Sequence, residues 1–179
     1  ALRRHGLGRL RNDDVEGAAA RLLESLPDDP GGRDVAREGL ARGLSDRALP
    51  AQSLQVMAAV ADALPQSRAA RLALARVAIA REAPRIALEA VDQALDRQPD
   101  LRSARLLRAD ALLALDRPDA AFAIFAELLA ASPDNASLRF EYARALLERE
   151  REAAALEEFR QLVEAGATQP RVGLALLYI

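Results

Sequence analysis

Between residues 67 and 165, apolar side chains recur at helical spacing, and proline interrupts them at regular places. In 68–81, Leu72, Leu74, Ala75, Val77 and Ile79 follow helical periodicity, and Ser67 stands where a hydroxyl caps the first turn. Pro84 fits the first turn of a second helix over 84–97, where its missing N–H breaks no hydrogen bond. That helix carries Ile86, Leu88, Val91, Ala94 and Leu95. It stops at Gln98-Pro99-Asp100, because the residue before proline is pushed out of the α region. The same grammar predicts helices over 101–115, 118–131, 135–149 and 151–165.

The punctuation keeps one ruler. Pro65, Pro99 and Pro133 are 34 residues apart, as are Pro50, Pro84 and Pro118. Ala41, Ala75, Ala109 and Ala143 form a third ladder in this register, and Ala87, Ala121 and Ala155 a fourth, with Ser53 one unit earlier. A fixed period of this length marks stacked supersecondary units. The small residues let helix backbones approach closely, while Met57, Val91, Phe125 and Phe159 would fill the space between successive units. The chain divides into a degenerate 1–32, helix pairs over 33–66, 67–100, 101–134 and 135–167, and a truncated 168–179. This predicts one domain over 1–179, of about five helix pairs and a terminal helix, as a fragment of a longer protein.

The order small–small–aromatic–Pro on this period resembles the tetratricopeptide repeat (TPR). Ala75, Ala87, Val91, Ala94 and Pro99 stand at the family's signature places, as do Ala109, Ala121, Phe125 and Pro133, and then Tyr142, Ala143, Ala155 and Phe159. One departure is systematic: Arg37, Arg71, Arg105 and Arg139 replace the family's bulky aromatic near the start of the first helix. The resemblance implies an all-α, right-handed α-solenoid of TPR helix-turn-helix repeats, with first helices lining a concave groove.

Composition supports the helical reading. Apolar residues make up 51% and aromatics only 3%, and the excess is alanine and leucine, which lose little rotamer freedom in a helix. All 25 basic residues are arginine, a bias of GC-rich bacterial genomes, and the net charge of −2 argues against nucleic acid as a partner. The longest apolar runs are far too short for a membrane span.

Candidate chemistry is sparse. Without cysteine there is no disulfide, thiol nucleophile or Cys-held metal. His5 has no metal-ligand partner in sequence; Asp13-Asp14 and Asp28-Asp29 suit caps and turns rather than a calcium loop. The Gly-Leu-Gly at 6–8 lacks the strand and lysine of a phosphate loop, and Glu157 and Glu158 read as a solvated face. The expectation is no enzyme, no catalytic residue, no cofactor and no metal.

The family geometry puts Leu72, Leu106 and Phe140 in the groove, with Ile79, Leu113 and Leu147 below them and Arg42, Arg76, Asp110 and Arg144 as a charged ladder. An apolar track with guanidinium groups suits a protein or peptide carrying apolar anchors and carboxylates. The alternative is that several of these leucines belong to the interhelix core. Family members that clasp a C-terminal carboxylate use lysine and asparagine. Here Ala69, Ala73 and Arg76, then Ser103, Leu107 and Asp110, stand in those places and argue against such a clamp.

The stretches 103–117 and 136–148 resemble the middle of a large proteobacterial TPR lipoprotein, the outer-membrane partner of the periplasmic carboxyl-terminal processing protease CtpA. That implies a periplasmic, outer-membrane-associated adaptor bringing the protease to its substrates, with a cytoplasmic setting as the alternative. Two other roles stay open, a docking or regulatory segment of a longer enzyme and a self-association module. The latter would use the apolar stripe Val172, Leu174, Ala175, Leu176, Leu177 and Ile179.

Overall fold

The computed structural model describes residues 53–166, together with Glu24 earlier in the chain. The readings made for 1–52 and 167–179, among them the degenerate first repeat, His5, Arg37, Arg42, the two Asp-Asp pairs and the terminal apolar stripe, lie outside the described residues.

Among the described residues there are seven α-helices and no strand. These are α1 (Ser53–Ala63), α2 (Arg68–Ala80), α3 (Pro84–Leu95), α4 (Arg102–Ala114), α5 (Pro118–Ala131), α6 (Ala136–Leu147) and α7 (Glu152–Glu164). The expected 118–131 helix is found as read. The others end one or two residues inside the expected limits, because Leu101, Asn135 and Arg151 serve as N-caps and Arg81, Asp96, Leu115 and Glu148 as C-caps. The Ser67 hydroxyl accepts from the Ala70 N–H at 3.2 Å, and Asn135 Oδ1 accepts from the Leu138 N–H at 2.9 Å. Pro84 and Pro118 open α3 and α5.

The turn inside each repeat is closed in a way the sequence does not announce. Glu82, Asp116 and Glu150, again 34 residues apart, all have positive φ (55°, 56° and 59°). At Glu82 this makes a Schellman closure: the Glu82 N–H donates to Ile79 O at 3.1 Å and the Ala83 N–H to Ala78 O at 2.8 Å. Glu150 repeats it, through Leu147 O at 3.1 Å and, from the Arg151 N–H, Leu146 O at 2.9 Å. A left-handed conformation costs a residue with a Cβ roughly 1–2 kcal/mol.

The chain groups into two compact units, Ala1–Leu115 and Asp116–Ile179. In the first, Val56, Met57 and Val60 of α1 join Leu72, Leu74, Val77, Val91 and a set of buried alanines in one core. Ala75 and Ala87 have no exposed surface, as close helix packing requires. Ser53, which stands in the alanine ladder, is also fully buried and accepts a hydrogen bond from Arg81 Nε at 2.9 Å. Arg97 reaches Gln66 and Arg68 reaches Gln98, so the start of α2 and the turn after α3 are cross-linked by two arginine–glutamine pairs.

The second unit packs Ala143, Leu146, Ala155, Phe159 and Leu162 together, with Phe122, Phe140, Tyr142 and Leu147 against them. The Tyr142 ring stacks on buried Phe125 at 5.5 Å and meets Phe122 edge-on at 5.9 Å, which ties α5 to the following repeat. Phe159 is met edge-on by Phe140 of its own repeat at 5.9 Å.

Candidate functional site

The first helices of the repeats, α2, α4 and α6, carry the residues expected to line the groove. On α2, Leu72 is only 8% exposed and packs into the core of the first unit, so it belongs to the interhelix core. The side chains packed around it in that core cover it. Ile79 is half-buried against the same core, and Arg76 is half-buried. On α4, Leu106 and Leu113 are half-buried and Asp110 is exposed; Arg76, Asp110 and Leu113 all have interaction partners. Arg42 lies outside the described residues.

The second unit holds the most complete set. Phe140 and Leu147 are both half-buried, packed against the core yet open on one side, and Arg144 between them is exposed. Seven residues of helix place the two apolar groups two turns apart on one side. Phe140 is fixed by its edge contact with Phe159, so it presents a rigid apolar surface. Arg144 lies 3.8 Å from Glu148 one turn on, and the two side chains are 63% and 59% exposed. An ion pair this open is worth about 0.3–0.5 kcal/mol and yields readily to another carboxylate.

Two of the arginines that replace the family's aromatic residue, Arg71 and Arg139, pair with residues of neighbouring helices. Arg139 is 16% exposed; it lies 2.6 Å from Glu158, which is 18% exposed, donates to Pro133 O at 2.9 Å and also reaches Gln161. It joins the first and second helices of its repeat. Arg71, equally buried, lies 3.6 Å from Asp62 at the end of α1. The empty aromatic place was visible in sequence; its partners, 19 and 22 residues on in the case of Arg139, follow no local rule.

Tyr142 is a titratable group with a clear shift. Burial against the phenylalanines, and then the nearby Glu158 carboxylate, push its pKa above the ordinary 10.0. A phenol held neutral in this way packs; it does not act as a base near neutral pH. Among the described residues no three or more His, Asp or Glu side chains gather as a metal site would require. No described helix is long and apolar enough to cross a membrane. What α6 offers chemically is apolar area beside an exchangeable guanidinium.

Two family models described as tetratricopeptide repeat match the sequence, one over residues 112–177 and one over 72–136, and together they span more than half of the chain. No curated protein sequence matches it. Solved structures similar in fold include MamA of AMB-1, 16% identical, with 92% of this chain and 96% of that chain covered and a TM-score of 0.57. A MamA RS-1 ArsTM double mutant is 15% identical over 95% of each chain, with a TM-score of 0.63. MamA of MSR-1 is 16% identical over 92% of this chain and 94% of that one, with a TM-score of 0.58. At such identity the likeness is one of fold, an all-α solenoid of paired helices.

Proposed function

Since this chain belongs to the tetratricopeptide-repeat family, we propose that it is a non-catalytic scaffold whose first helices hold segments of partner proteins. The observation that carries the reading is the arrangement on α6. Phe140 and Leu147 offer two anchored apolar contacts, and Arg144 between them can leave Glu148 for a partner's carboxylate. On the first unit, Arg76 and Asp110 occupy the same register, and both have interaction partners within the chain.

The finer proposal is an adaptor of the bacterial envelope, periplasmic and associated with the outer membrane, that brings a carboxyl-terminal processing protease to its substrates. It is supported by the likeness of 103–117 and 136–148 to such an adaptor. The test is a pull-down from a bacterial envelope extract with this chain as bait, read by mass spectrometry, beside an Arg76→Glu/Arg144→Glu variant of unchanged helicity. Recovery of a processing protease or cell-wall hydrolases, lost in the variant, is the expected result. Partners retained by the variant would remove the role of these helices. Recovery of no protein besides the bait would count against the adaptor role.

A further inference from the structure

We draw no further inference here: the strongest candidate, the exposed face of α5 along which Ala120, Ala123, Ala126 and Ala130 recur at helical spacing, is a stripe of small residues, and nothing in the structure shows what covers it.

Discussion

Arg139 offers the sharpest test of how the repeats are held together. Its guanidinium bridges Glu158, Gln161 and the Pro133 carbonyl while only 16% exposed. Arg139→Ala removes hydrogen bonds to a charged group and leaves the Glu158 carboxylate, 18% exposed, without its counter-charge. Removing one partner of a fully buried ion pair costs about 3–5 kcal/mol. This pair keeps some access to water, so the expected loss is about 2–3 kcal/mol. In urea that moves the midpoint by about 1 M or more, with the slope unchanged. The exposed pair on α6 is the internal control, since Arg144→Ala should cost no more than about 0.5 kcal/mol. Arg139→Met combined with Glu158→Leu should return to within about 1 kcal/mol of wild type, because two apolar groups leave no orphaned charge. The assay is urea unfolding followed by circular dichroism at 222 nm, run as a double-mutant cycle. An Arg139→Ala loss no larger than that of Arg144→Ala would refute the reasoning, as would a double variant as unstable as the two single losses added.

Other outcomes follow from the same structure. Glu82→Gly should stabilise by about 0.5–1 kcal/mol in thermal unfolding, the roughly 1–2 kcal/mol of left-handed strain less about 0.4–1 kcal/mol of added freedom in the unfolded chain. Glu82→Val should destabilise instead. Tyr142 has a folded pKa above its unfolded value, so its contribution is complete below pH 10.0 and is lost as pH rises through the folded value. Tyrosinate absorbance should accordingly appear later in the folded chain than in urea. Ala75→Leu, at a site with no exposed surface, should overpack the core of the first unit by about 1–3 kcal/mol, measured as a fall in urea midpoint.

Much of the fold was legible because its signals are local. Proline at the start of α3 and α5, Ser67 as a cap, and alanines at a fixed period each act within a turn or two of helix. The left-handed turns were hidden because glutamate and aspartate occupy them; glycine there would have announced the conformation. The Ser53–Arg81 bond was hidden for another reason, since it joins residues 28 apart through a place that alanine fills elsewhere. Leu72 shows the limit for the site. Periodicity places it on the first helix, but whether it faces a groove or a core depends on which helices lie beside it.

The placement of aromatic rings makes the two units spectroscopically distinct. All four phenylalanines and both tyrosines lie at position 122 or beyond, and the chain has no tryptophan. Residues 1–115, the first unit, are thus silent in the near ultraviolet, whereas Tyr142 stacked on Phe125 gives the second a dichroic signal of its own. Far-ultraviolet dichroism sees the helices of both. Comparing the two transitions in one sample reads out whether melting passes between the units as a single event or halts at residue 115, with no label or added probe.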